Sequence, residues 1–319
     1  MYRNVMVPVD GSSFAREAVL QGLRIASRSG ATLRLVRVAS APLFVGGPDS
    51  FAVENATLQK QRADELADLY SIAAECRAHS TVNVTASLQQ GPIVDALMGY
   101  ARRHRVDLIV MRSHVRKGIA RAWFGSVADK LIRESGIPVL VVRPPSVATA
   151  LESSFGFKRI LIPLDGSSLA EESLSAAVKL ARIDGSEITL LRVVTPSKTR
   201  QPGEIESSIG PAPARDVEEA QSYLNQLLSS PADRSIRVMR RVIIAEDIPA
   251  TILYVAEMEE SDIIAIATRG RGAIARATSG SVADRIMREA VVSAMVIHPV
   301  AQTVPDTVNR AVMFAPAPN

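Results

Sequence analysis

The sequence predicts an α/β protein made of two repeated domains, each a doubly wound parallel sheet of five strands with helices on both faces. Short apolar runs alternate with segments of helical periodicity along the chain. Those runs are apolar throughout, as in strands that are buried on both faces of a parallel sheet. The same pattern restarts at residue 159, and the recurring positions lie 155 residues after their first copies, as Asp165 does after Asp10.

The first copy contains five predicted strands and four predicted helices. The strands are expected at residues 4–9, 32–38, 82–88, 107–111 and 138–143. The helices are expected at residues 13–29, 54–79, 92–105 and from 126 onward. Gly30 ends the first helix, and Pro92 suits the first turn of the third. Right-handed crossovers would bring the carboxyl ends of the strands to one edge of the sheet, where such folds bind ligands.

Two motifs recur without change. Asp10-Gly-Ser-Ser13, after the first strand, returns as Asp165-Gly-Ser-Ser168, and Gly125-Ser-Val-Ala-Asp129 returns as Gly280-Ser-Val-Ala-Asp284. A constant offset over so much of the chain indicates a duplicated domain. We therefore expect a first domain over residues 1–145, a linker over 146–157, a second domain over 158–300 and a C-terminal tail over 301–319.

Composition limits the class of protein. A chain of 319 residues with 47% hydrophobic and 22% charged residues is typical of two soluble globular domains. No apolar run reaches the roughly 20 residues that span a bilayer, and we expect no signal peptide because the N-terminus leads straight into a strand. The single cysteine, Cys76, has no partner for an internal disulfide, which fits a reducing compartment. The expectation is a cytoplasmic protein without a membrane partner.

The charge pattern does not favour nucleic acid as the main partner. The net charge is +4, the basic residues are scattered, and aromatic residues make up 4% of the chain. Basic and aromatic residues do not alternate in the way that supports stacking of bases.

A candidate anion site follows the fourth strand of the second copy. The segment Ala267-Thr-Arg-Gly270 ends a buried strand, and nine residues later Gly280-Ser281 opens a helix. A small residue and a glycine allow backbone N–H groups to approach a bound anion closely. A helix start adds free N–H groups and the positive end of the helix dipole. The arrangement predicts a cradle for phosphate.

Several residues near this cradle allow two interpretations. The Asp165 carboxylate could accept a hydrogen bond from a ribose or a base, or it could form an Asx turn before the next helix. Ser281 belongs to a Ser-x-x-Asp capping pattern, which recurs at Ser126, and it could also face a phosphate. Arg269 could pair with phosphate oxygens or lie on a solvated loop, as could its neighbour Arg271. His114, which matches Arg269 in the first copy, is interpreted as a surface residue.

The chain lacks the usual catalytic motifs. It contains no Gly-x-x-x-x-Gly-Lys-Ser/Thr phosphate loop, no Cys/His cluster for zinc and no Gly-x-Ser-x-Gly nucleophile elbow. The four histidines are dispersed along the chain. We therefore predict no catalytic residue and no metal site.

These motifs together resemble those of the universal stress protein family in its tandem, two-domain form. The family's nucleotide motif is Gly-x-x-Gly, nine residues, then Gly-Ser/Thr. The second copy matches it with alanine for the first glycine, whereas the first copy has Arg112 and Val115 in place of the two glycines. The resemblance covers nearly the whole chain. It implies a Rossmann-like fold of the adenine nucleotide alpha hydrolase type, strand order 3-2-1-4-5, and pairing of the two domains through their fifth strands.

The resemblance also implies a ligand, ATP with or without Mg²⁺, and a set of site residues. In the second domain the implied nucleotide site comprises Pro163, Leu164, Asp165, Val193, Ala267, Thr268, Arg269, Gly270, Gly280, Ser281 and Val282. The corresponding degenerate site of the first domain comprises Asp10, Val38, Arg112, Val115, Gly125 and Ser126. The Val115 side chain lies where backbone would approach phosphate, so weak or absent binding is expected there.

Three hypotheses about function remain open. The first is a cytoplasmic stress-response protein that binds ATP mainly in its second domain and is not an enzyme beyond slow hydrolysis. The second is a scaffold of the same fold that binds a protein partner and no nucleotide. The third, an adenylate-forming or pyrophosphate-releasing enzyme on a related nucleotide fold, would need a further lysine or histidine constellation that is not found in the sequence. The two domains are expected to form an intramolecular pseudo-dimer, and a homodimer of whole chains is left open.

Overall fold

A computed structural model provides the fold. It describes residues 1–12, 15–39, 51–112, 125–143, 156–196, 198–199, 208–209, 214–229, 235–268 and 281–298.

The described residues of the first half of the chain form five strands and four helices. Its strands are β1 (Asn4–Pro8), β2 (Thr32–Val38), β3 (Val84–Gln89), β4 (Leu108–Arg112) and β5 (Val139–Val142). Its helices are α1 (Ala15–Ser29), α2 (Phe51–Ala78), α3 (Ile93–Arg103) and α4 (Ser126–Glu134). Each predicted element is present, and most boundaries differ from the prediction by one to three residues.

The second half repeats this order. Its main strands are β6 (Arg159–Pro163), β7 (Glu187–Val194), β10 (Val238–Ile244), β11 (Ile263–Ala267) and β12 (Ser293–Ile297). Its helices are α5 (Ser168–Asp184), α6 (Ala214–Gln226), α7 (Ile248–Met258) and α8 (Ser281–Glu289). A short antiparallel pair, β8 (Lys198–Thr199) with β9 (Ser208–Ile209), lies between β7 and α6.

The ten main strands form one sheet in the order β10-β7-β6-β11-β12-β5-β4-β1-β2-β3. Each half therefore has the order 3-2-1-4-5, and neighbours within a half run parallel, which confirms the predicted fold class. The halves meet where β12 pairs with β5 in antiparallel register, Ala294 opposite Val141 and Val296 opposite Val139. An apolar strand that would otherwise form an exposed edge is thereby covered within the chain.

Both faces of the sheet carry an apolar core that continues from one half into the other. One core joins α1, α2, α5 and α6 to the sheet, and the other joins α3, α4, α7 and α8. The central strands are consequently buried on both sides, which explains why their sequences are apolar without alternation. The edge strands β3 and β10 are only partly buried and carry polar residues.

A recurring aspartate fixes the start of each domain. The Asp107 carboxylate accepts hydrogen bonds from the backbone N–H groups of Arg3 at 2.8 Å and Asn4 at 3.0 Å. Asp262 accepts the equivalent bonds from Lys158 at 2.6 Å and Arg159 at 2.9 Å. The two aspartates thus join the entry of the first strand to that of the fourth, at the edge of the sheet opposite the candidate site.

Among the described helices, none combines the length and the apolar character needed to cross a membrane.

Candidate functional site

A cavity of about 230 Å³ lies at the carboxyl edge of the first domain. The ends of β1, β2 and β4 and the first turns of α1, α3 and α4 surround it. Five residues that the sequence analysis placed in the degenerate site line it, namely Asp10, Val38, Arg112, Gly125 and Ser126. The sixth, Val115, and the neighbouring His114 lie outside the described residues. Largely apolar walls with a few polar groups are typical of small-molecule sites.

The Asp-Gly-Ser turn forms one side of the cavity. Asp10 Oδ1 accepts hydrogen bonds from the Ser12 backbone N–H at 2.9 Å and from its hydroxyl at 2.6 Å. Gly11 has φ +81°, a conformation that favours glycine. This is an Asx turn, and it places the carboxylate beside the cavity.

The same turn is built in the second domain. Asp165 Oδ1 accepts hydrogen bonds from the Ser167 backbone N–H at 2.9 Å and from its hydroxyl at 2.5 Å, and Gly166 has φ +82°. Ser167 also caps α5, because its hydroxyl oxygen accepts the Ala170 N–H at 3.2 Å. The Asx-turn interpretation of Asp165 is therefore correct, and a role toward a ligand stays a prediction.

An arginine beneath each turn is a feature that the sequence analysis did not assign. The Arg37 guanidinium lies so close to the first turn that a Cβ on Gly11 would be 2.8 Å from Nη2, and Asp68 on α2 pairs with it at 2.9 Å. In the second domain Arg192 Nη1 donates to the Leu164 carbonyl at 3.2 Å. The recurrence of arginine at this position was the available signal, but strand periodicity alone does not indicate that the side chain supports a turn.

The start of α4 differs from the expected capping pattern. The N-cap residue is Gly125, with φ −51° and ψ 155°, and no side chain accepts a hydrogen bond there. The prediction that Ser126 caps this helix is wrong, because Ser126 is already the first helical residue and Asp129 is bound by Arg133 at 2.8 Å. The first turn of α4 thus presents its N–H groups at the cavity without a capping side chain.

Arg112, which lines the first cavity, pairs with an acidic residue of α1. Arg112 Nε is 3.2 Å from Glu17 Oε2 of α1, and the Arg112 side chain is 14% exposed. The guanidinium stands where the second domain has Ala267. The two domains therefore differ in both the volume and the charge of this part of the site.

Eight residues that line the first cavity correspond to residues of the predicted site in the second domain. These lining residues are Pro8, Val9, Asp10, Val38, Arg112, Gly125, Ser126 and Val127. The residues 155 positions later are Pro163, Leu164, Asp165, Val193, Ala267, Gly280, Ser281 and Val282. Six residues of the predicted second site lie at the ends of the adjacent strands β7, β6 and β11, namely Pro163, Leu164, Asp165, Val193, Ala267 and Thr268. Ser281 and Val282 begin α8. Arg269, Gly270, Arg271 and Gly280 lie outside the described residues.

Thr268 is held from the end of β12. Its backbone N–H donates to the Ile297 carbonyl at 2.8 Å, and its hydroxyl lies 3.1 Å from His298 Nδ1. Both Thr268 and His298 are buried. The contact between Thr268 and His298 could not be predicted from the sequence, because no sequence spacing indicates that residues 30 positions apart meet.

Within the described part of the chain, no three acidic, histidine or cysteine side chains lie close enough together to hold a metal ion.

Comparison with known proteins decides the family. The model described as Universal stress protein family matches residues 1–143 and again residues 156–298. The chain belongs to the universal stress protein family. Its two matches correspond to the tandem form of that family, with the strand order observed here twice in one sheet.

Individual universal stress proteins are similar over different lengths. One from Mycolicibacterium smegmatis is 25% identical over 300 residues, which cover 92% of this chain and 97% of that protein. One from Methanocaldococcus jannaschii is 28% identical over 147 residues, which cover 46% of this chain and 84% of that protein. The crystal structure of a universal stress protein from Archaeoglobus fulgidus superimposes with a TM-score of 0.68 at 17% identity, covering 93% of this chain and 98% of that one. This last likeness concerns the fold.

Proposed function

We propose that the protein binds ATP at the carboxyl edge of its second domain. The observation that carries the proposal is the match between the predicted site and a cavity that the fold forms in the first domain. Because both domains share strand order and turn geometry, the same elements surround the equivalent position in the second domain.

The proposed contacts follow from these elements. The N–H groups at the start of α8 face the phosphates, where the helix dipole favours negative charge. The carboxylate of Asp165, at the same edge of the sheet, accepts a hydrogen bond from the ribose. The backbone at Val193 contacts the adenine, and Ile248 and Ile252 offer the apolar surface that Ile93 and Leu97 offer to the first cavity. Mg²⁺ would accompany the phosphates of ATP, and the proposed role of ATP includes no chemical step on the metal.

The two domains are proposed to differ in affinity. At one motif position the first domain has the paired side chain of Arg112 and the second has Ala267. At another the first has Val115 and the second has Gly270. Both differences add side-chain volume to the first site, so nucleotide is expected to prefer the second domain.

We propose binding, rather than turnover, as the role of ATP in this stress protein. The Asp165 carboxylate is engaged by Ser167, which makes it a poor general base. A ligand that prefers one conformation stabilises that conformation by mass action, and occupancy would thereby report nucleotide level to a partner.

Isothermal titration of the whole chain with ATP tests the proposal. The expected result is one tight site per chain, with GTP as the comparison for base selectivity and mass analysis of nucleotide carried through purification as a second measurement. Absence of ATP binding would overturn the proposal and favour the scaffold hypothesis.

A further inference from the structure

A buried histidine, His298, follows β12, and its ring contacts the threonine that follows the neighbouring strand β11. His298 is 8% exposed, and its Nδ1 lies 3.1 Å from the hydroxyl of Thr268, which is 9% exposed. The matching residue of the first domain is Arg143, whose guanidinium donates to the Met287 carbonyl. The residue type at this position therefore differs between the two domains, and the histidine belongs to the domain that is proposed to bind ATP.

The contact reaches the nucleotide motif directly. Thr268 is the second residue of Ala267-Thr-Arg-Gly270 and the first residue after β11. Its backbone is already fixed by the bond from its N–H to the Ile297 carbonyl at 2.8 Å. The hydroxyl contact with His298 adds a restraint on the side chain, which otherwise chooses among three staggered rotamers.

We propose that His298 is a positioning residue of the nucleotide site. It holds Thr268 in one rotamer and so fixes the end of β11, the point from which the motif continues in the sequence. His298 itself lies beside Thr268 at the end of β12 and acts through that residue. The inference rests on the proposed function, because it assigns His298 a role in the affinity for ATP.

Pre-organisation supplies the physical reason. A site whose groups are ordered before the ligand arrives loses less conformational entropy on binding than one that must be ordered by the ligand. Loss of a restraint equivalent to one hydrogen bond, at about 0.5–1.5 kcal/mol, corresponds to an affinity roughly two- to tenfold weaker.

Three substitutions in the whole chain separate positioning from a general loss of stability. His298→Ala removes the partner of Thr268, and ATP affinity is expected to fall roughly two- to tenfold. His298→Asn places an amide near the position of Nδ1 and is expected to restore most of the affinity. Ser293→Ala is the control, because Ser293 is also buried on β12 and accepts the Arg143 N–H at 3.2 Å, at the far end of the strand from Thr268. It should lower stability and leave the affinity unchanged.

A double-mutant cycle identifies the route. If His298 acts through Thr268, then His298→Ala has no further effect on affinity in a Thr268→Val background. An equal loss in both backgrounds, or no loss in either, overturns the proposal. The cycle also remains informative if His298→Ala is too unstable, because His298→Asn and His298→Gln can replace it, and only the shorter amide is expected to bind like the parent.

A measurement without nucleotide keeps this inference distinct from the proposed function. Hydrogen exchange of the Thr268 amide in the ligand-free protein should become faster in His298→Ala and stay unchanged in Ser293→Ala. Unchanged exchange in His298→Ala overturns the positioning role whether or not ATP binds. Failure of the unaltered chain to bind ATP overturns the proposed function and, with it, the assignment of His298 to affinity.

Discussion

The hydroxyl of Tyr2 donates a hydrogen bond to the Ala176 carbonyl, 3.1 Å away, and so joins the start of the first domain to helix α5 of the second. The matching residue of the second domain is Phe157, and its ring lies 4.8 Å from the Arg24 guanidinium of α1. Each domain thus places the aromatic residue that precedes its first strand against the first helix of the other. The halves of the chain are held together by this helical contact as well as by the β5–β12 pair.

Tyr2→Phe should lower stability by about 0.5–1.5 kcal/mol, because it removes the buried hydrogen bond from the phenol to the Ala176 carbonyl. Burial, with a smaller contribution from Asp107, also raises the pKa of the Tyr2 phenol well above its usual value near 10. Because the raised pKa favours the neutral phenol in the folded state, the contribution of the Tyr2 phenol to stability is full below about pH 10 and declines as pH rises further. Denaturation from pH 8 to 11 should show a smaller decline for Tyr2→Phe than for the parent. Part of the decline should remain, since burial and a hydrogen bond to Glu171 also raise the pKa of Tyr223. Equal slopes for both proteins would contradict the prediction.

Asp184→Ala should destabilise the chain by about 3–5 kcal/mol, the usual effect of removing one member of a buried ion pair. The Asp184 side chain is fully buried and pairs with Arg24 and, at 3.5 Å, with Arg28, both of the other domain. It also accepts the Phe157 N–H at 3.1 Å. Chemical denaturation measures the loss. Glu219→Ala is the control, because it removes an exposed pair with Arg215 and should leave the midpoint unchanged. A midpoint for Asp184→Ala equal to that of the control would show that this contact does not hold the domains together.

Gly280→Val should abolish most ATP binding, with a loss of about two to four decades in affinity, because a branched side chain would displace the phosphates from two backbone donors. Gly125→Val is the matched control in the first domain. Gly125 has φ −51°, and a Cβ there would meet no atom within 4 Å, so the control is expected to fold and to bind ATP like the parent. Titration calorimetry compares the two. Parent-like binding by Gly280→Val would mean that the cradle has been assigned to the wrong residues.

Arg112→Ala combined with Val115→Gly should create a second nucleotide site in the first domain. The double substitution restores the motif of the second domain and removes the guanidinium that lines the first cavity. Titration should show the stoichiometry rising from about one to about two ATP per chain. A companion substitution, Glu17→Gln, should not raise the stoichiometry, because it neutralises the carboxylate that pairs with Arg112 and leaves the guanidinium in place. An unchanged stoichiometry in the double variant would show that these two residues are not what weakens the first site.

Much of the fold and part of the site could be predicted from the sequence. Apolar runs, helical periodicity and a constant offset of 155 residues indicate the elements and their duplication, because each signal depends on residues within one element or on an equivalent copy. The Asx turn at Asp165 is one of the two predicted alternatives, because a short polar side chain bonds its own backbone two residues on. The position of both motifs at the carboxyl edge follows from the handedness of crossovers.

Only the tertiary structure decided which side chains meet across elements. Arg24 and Asp184 lie in different domains and at positions that are not equivalent in the repeat, and their contact depends on how α1 packs against α5. His298 reaches Thr268 because β12 ends beside β11, which neither residue's own neighbourhood in the chain indicates. Local periodicity specifies each strand and helix, whereas these contacts depend on distances between elements that exist only once the sheet has formed.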